Sequence, residues 1–165
     1  MMSKLDQKLR ENRNRRARDV FLLALGGKFG DILSEAKYSS DVACIKYAAF
    51  ATWDMEADCE TTTRGQVIGW ENHTFKTWQE LITELKRSSH GNDVNGWFFN
   101  DTDGPYYQVS LESFLANADS ISVYADVSDH RDFGWVGAER DCGMIIEFNH
   151  TSLCRNEYEL CTWGI

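Results

Sequence analysis

Four carboxylates recur at every second position, Asp54, Glu56, Asp58 and Glu60. In an extended strand that spacing sets all four on one side and Met55, Ala57 and Cys59 on the other. Like charges so close repel one another, and a basic partner or a cation relieves the repulsion. The plainer reading is a solvated loop leading into Thr61, Thr62 and Thr63. A second acidic group, Asp126, Asp129, Asp132, Glu139 and Asp141, surrounds His130, Arg131 and Arg140. Carboxylates beside a histidine perform acid-base or metal chemistry where a fold brings them into one cleft, giving a small enzyme centred on Asp129, His130, Asp132 and Glu139. Without that convergence they form the rim of a polar turn, and the composition of residues 128 to 132 favours the turn.

Metal chemistry has two weaker candidates. His150, Cys154 and Cys161, with Cys142 upstream, are spaced H-x3-C-x6-C, which matches no established structural zinc site and contains no CxxC pair. Asp101-x-Asp103-Gly104 opens like a calcium loop but lacks the later ligands and the bidentate glutamate, and Pro105 points to a tight turn. No metal and no cofactor is therefore expected.

Two further stretches suit macromolecular contact. Trp97, Phe98, Phe99, Tyr106 and Tyr107 flank the turn residues 100 to 105, so alternation sends at least one ring to each face of a hairpin. Trp97 and Tyr106 beside Asp101 and Asp103 would anchor a cationic or amphipathic partner, although aromatics in a small domain usually belong to its core. Arg13, Arg15, Arg16 and Arg18 form a basic run able to neutralise phosphates, but the acidic body behind it would repel the same polyanion. No G-x-S-x-G, Walker, dinucleotide or HExxH signature is present, and Gly26-Gly27-Lys28 lacks the flanks of a phosphate loop.

These residues must be held by a chain of 165 residues, the size of one domain, able to bury about two-thirds of its unfolded surface. Hydrophobic residues make up 42% and there is one proline, so a folded globule is expected rather than disorder. No apolar run reaches the length of a membrane span and the N-terminus lacks the pattern of a secretory leader, so the expected location is the cytoplasm. The five cysteines, an odd number without regular spacing, suit buried reduced thiols. Sequons begin at Asn72, Asn100 and Asn149, which is near chance and needs a secretory route to matter. Charge is divided unevenly: residues 1 to 19 hold seven Lys or Arg and three Asp or Glu, net +4, which leaves −13 of the total −9 on residues 20 to 165.

Ser3 to Leu25 reads as a helix with acid-first i,i+4 pairs. Its stretch between Arg10 and Arg16 is wholly polar and so projects into solvent or is ordered by a partner. Val20, Phe21, Leu23 and Ala24 are its expected anchors, with Gly26 and Gly27 as a stop and a short helix over residues 31 to 36. Ala43 to Trp53 and Gln66 to Trp70 read as a β ribbon. Thr77 and Glu80 form a capping box on a helix whose buried stripe is Trp78, Leu81, Ile82 and Leu85. Trp97–Phe99 and Tyr106–Val109 read as a hairpin, Ser110 caps a short helix to Ala116, and Ile121, Val123 and Ala125 alternate as a strand. Strands over 133–136, 143–148 and 158–163 complete a β-rich half.

The sequence thus predicts an α+β fold, mainly antiparallel sheet with two or three helices, preceded by a basic N-terminal helix. Residues 1–19 are read as a helical arm and 20–165 as a single acidic domain. The function expected from charge is an acidic inhibitor, of immunity or phage counter-defence type. It would dock on the basic, possibly nucleic-acid-binding, site of a partner protein through Asp54, Glu56, Asp58, Glu60, Trp97, Asp101, Asp103 and Tyr106. The alternatives are the small enzyme and a nucleic-acid adaptor acting through the arginine run.

Overall fold

The computed structural model describes residues 3–41, 70–88, 94–101, 104–127, 133–139, 142–149 and 157–165. Among them are five helices and a seven-stranded, wholly antiparallel sheet. In chain order they are α1 (Lys4–Leu25), α2 (Gly27–Glu35), β1 (Tyr38–Ser39), β2 (Trp70–Phe75), α3 (Trp78–Ser88), β3 (Asn95–Phe99) and β4 (Tyr106–Ser110). There follow α4 (Leu111–Ala116), α5 (Ala118–Val127), β5 (Phe133–Gly137), β6 (Gly143–Asn149) and β7 (Glu157–Trp163). The strands run β1-β4-β3-β5-β6-β7-β2 across the sheet, so β7 lies between β6 and a strand that precedes it by more than eighty residues.

Local chemistry accounts for several helix ends. Ser3 and Asp6 exchange side-chain and backbone bonds as a capping box at the start of α1. Thr77 and Glu80 do the same for α3: the Glu80 N–H donates to Thr77 Oγ1 and the Thr77 N–H to Glu80 Oε2. Ser110 Oγ accepts from the Ser113 N–H and starts α4 directly from the end of β4. Between α1 and α2 the chain turns on Gly26 and Gly27, with φ of +56° and +60°, a region that L side chains rarely enter.

The helices cover one face of the sheet. Phe21, Phe29 and Leu33 from α1 and α2, Trp78, Leu81, Ile82 and Leu85 from α3, and Phe114, Ile121 and Tyr124 from α4 and α5 pack on Phe98, Tyr107, Phe133, Trp135, Met144, Ile146 and Leu160. Phe98 sits centrally, with rings of Phe21, Phe29, Tyr107, Phe114 and Phe133 around it. Two buried indoles have their polar tips satisfied by backbone: Trp78 Nε1 donates to the Ala118 carbonyl and Trp135 Nε1 to that of Val109. The opposite face is buried too, at Phe99, Tyr106, Val136, Ile145 and Trp163. Gly134 on β5 makes room there, since a Cβ at that position would overlap the ring of Phe99 on the neighbouring strand.

Several expectations need correction. Ile121, Val123 and Ala125 lie in α5 and not in a strand; Ala118, Ile121 and Tyr124 are buried three apart, a helical spacing that outweighs a brief alternation. Val20 and Leu23 do not anchor α1, being 69% and 86% exposed, whereas Phe21 and Leu25 are buried. Nor does the polar middle of α1 simply project into solvent, because Asn14 is only 1% exposed. The short second helix begins earlier than expected, at Gly27. Ala43 to Trp53 and Gln66 to Gly69 lie outside the described residues, and Trp70 opens β2, which pairs with β7 from Trp70–Trp163 to Phe75–Tyr158.

Candidate functional site

The described candidates for contact gather on α1 and on the turn that follows β3. Helical phase sorts α1 into two faces. Asn14, Phe21 and Leu25, separated by seven and four residues, point inward; Leu5, Leu9, Val20 and Leu23 point outward, with exposures of 66%, 60%, 69% and 86%. Arg13, Arg15 and Arg16 are exposed, and Arg15 donates to Asn12 Oδ1 at 3.2 Å.

Arg18 differs from the other three. Its Nη2 donates to the Ser34 carbonyl at 2.7 Å in the last turn of α2, its guanidinium lies 4.8 Å from the Tyr38 ring centroid, and Asp19 is 3.8 Å from Nη1. A cation at a helix C-terminus and over an aromatic face is favourable on both counts. Arg18 is thereby committed to joining α1, α2 and β1 and is not available to phosphates as expected.

Between the N-terminal half of α1 and β1 lies an open cavity of about 550 Å³, bordered by Gln7, Arg10, Glu11, Tyr38, Ser39, Ser40 and Asp41. Its polar groups are of mixed sign and can hydrogen-bond a polar guest without selecting one charge.

The hairpin candidates separate. Tyr106 is completely buried, its ring edge-on to Phe99 at 5.8 Å, which makes it a core residue and corrects the expectation of an exposed anchor. Trp97, paired with Gln108 and Val136, is half-buried, and Asp101 in the following turn is exposed. Asp103 lies outside the described residues, as do Asp54, Glu56, Asp58 and Glu60. Of the alternative enzyme site, Glu139 is exposed in the turn between β5 and β6; Asp129, His130 and Asp132 lie outside the described residues. Among the described residues no three His, Cys, Asp or Glu side chains group in a metal-binding arrangement. Cys142 and Cys161 are both buried. Burial, with Glu159 and Glu147 adding like charge, pushes Cys161 up to about 12.

Sequence reasoning missed the outer face of α1. Its signal was present, because Leu5, Leu9, Val20 and Leu23 fall within about 60° of one another at ~100° per residue. No family model, no curated protein and no solved structure matches this chain, and among the described residues no helix is long and apolar enough to cross a membrane.

Proposed function

We propose that this chain is a binding protein whose acidic body docks on a basic site of a partner macromolecule and blocks it. The observation that supports this reading is the division of charge, +4 on residues 1 to 19 against −13 on the remainder. A field of one sign steers association with a basic cleft and complements its Lys and Arg side chains. Asp101 is exposed in the turn that follows β3, the strand carrying half-buried Trp97, and the alternating run Asp54, Glu56, Asp58 and Glu60 supplies the densest acidic stretch in the sequence. The inhibitor of immunity or counter-defence type is the functional class that fits this chemistry.

The test is affinity capture from the lysate of the native host, with the intact chain and with a D54N/E56Q/D58N/E60Q variant, each at low and raised salt. A stoichiometric protein held by the intact chain, released by salt and lost from the variant supports the reading and names the target. Capture of the same protein by the variant refutes it for these carboxylates. Nucleic acid in place of protein, lost on Arg15→Ala with Arg16→Ala, would support the adaptor alternative, for which Arg13, Arg15 and Arg16 remain exposed.

A further inference from the structure

We infer that residues 42–69 cross the second face of the sheet, the one away from the helices, from edge to edge and form the layer that buries it. The inference does not rest on the function proposed above.

Strand order supplies the first argument. β1 stands at one edge of the described sheet and β2 at the other, although they follow one another along the chain. The chain between Ser39 and Trp70 must therefore travel the width of seven strands, about 29 Å at ~4.8 Å from strand to strand. Its length is ample, since residues 40 to 69 reach about 100 Å when extended.

Burial tells which face the crossing takes. The helices occupy one face, packed on Phe98, Phe133, Trp135, Ile146 and Leu160. On the other, Tyr106, Phe99, Val136, Ile145 and Trp163 form a belt across β4, β3, β5, β6 and β7, and none of them is more than 3% exposed. None of the five belongs to the core beneath the helices. A sheet face loses its water when a second layer lies on it, and here the burial is complete within a single chain, so the cover belongs to this chain and not to a partner. Phe99 and Tyr106 each engage a group beyond the ring contact between them.

The other stretches outside the described residues are no longer than 150–156, which joins the adjacent strands β6 and β7, so 42–69 is the stretch with enough chain to make a layer. Its first half brings Ile45, Tyr47, Phe50 and Trp53, apolar surface of the kind the belt requires. Charge agrees as well. Glu147 and Glu159 stand directly opposite one another on this face, half-buried, a like-charged pair that a cation over the sheet relieves. Lys46 and Arg64 are the cations that the segment carries. The acidic run from Asp54 to Glu60 is thereby held on the side of the sheet remote from the basic helix α1.

Two buried thiols report on the two faces separately. Cys161 alternates with Leu160 and so lies on the second face, while Cys142 belongs to the core beneath the helices. In the native full chain both should react with N-ethylmaleimide at least about a hundredfold more slowly than in urea. Ile45→Asp with Phe50→Asp should speed the labelling of Cys161 by about tenfold or more and leave Cys142 unchanged, as read peptide by peptide by mass spectrometry. A Cys161 that labels in the wild type as fast as in urea overturns the inference, and so does one that stays protected in the variant. Photo-cross-linking decides independently, including where the variant unfolds and both thiols label together. With p-benzoylphenylalanine in place of Phe50, cross-links within the chain should fall on the strands of the belt. Cross-links to the helices instead, or none to the strands, overturn the inference.

Discussion

The inner face of α1 buries Phe21 and Leu25 and the outer carries Leu5, Leu9, Val20 and Leu23, yet it is the face with fewer apolar side chains that is sealed and the other that is open. Inward, Phe21 meets the rings of Phe98, Tyr107 and Tyr124 at centroid distances of 6.2, 6.0 and 5.0 Å. Outward, Leu5, Leu9, Val20 and Leu23 are mostly exposed. Phase decides between them, not residue type: Asn14 is polar but lies in register with Phe21 and Leu25 and is buried, while Leu23 is apolar but half a turn out of register and is not.

That contrast can be broken most sharply at Phe21. Phe21→Ala should destabilise the fold by about 3–5 kcal/mol, read from the midpoint of urea unfolding, because it removes a ring from an aromatic cluster that cannot close over the gap. Asn14→Ala should cost about 1–3 kcal/mol in the same assay, since Asn14 is buried and engaged, and its neighbours would be left without their polar contact. Opposite Phe21, the Tyr107 hydroxyl is buried without a hydrogen-bond partner among the described residues, so Tyr107→Phe should be neutral or stabilising by up to about 1 kcal/mol. Smallest of all, Leu23→Ser should change monomer stability by no more than about 0.5 kcal/mol; a larger loss would mean that the outer face is covered within the monomer.

Alkali sharpens the comparison from another side. Burial raises the Tyr107 hydroxyl above its usual range, with Arg18 nearby pulling the other way. A raised folded-state value means that the unfolded chain ionises first, so this contribution is fully present below pH about 10 and is lost as pH rises further. Cys161 acts in the same direction between its ordinary value of 9.0 and about 12. Unfolding midpoints should therefore fall progressively above pH about 9, and Tyr107→Phe should flatten the part of that fall that begins near pH about 10.

Much of the fold was legible where its causes are local. The Thr77 and Glu80 box, the Ser110 cap and the glycine pair after α1 are decided within a few residues, and the structure has each where the sequence placed it. Burial was harder to read, because it depends on what arrives from elsewhere. Val20 and Leu23 look like anchors as residue types, and only the phase set by Asn14, Phe21 and Leu25 turns them outward. Tyr106 illustrates the same point on the sheet: alternation with Tyr107 assigns the two rings to opposite faces, but not that both faces are closed. Of the acidic candidates, Asp101 could be placed on an exposed turn, while the run from Asp54 to Glu60 lies outside the described residues.

The sheet order has a consequence for synthesis. Helix α1 is made before every ring that its inner face packs on, and β2 must wait for β7, more than eighty residues further along, before the two can pair. A chain still on the ribosome thus carries α1 with apolar stripes bare on both sides and β2 without its β7 partner, a form that invites chaperones or wrong contacts. Completion of β7 is the event that joins β2 to β6 in the described sheet.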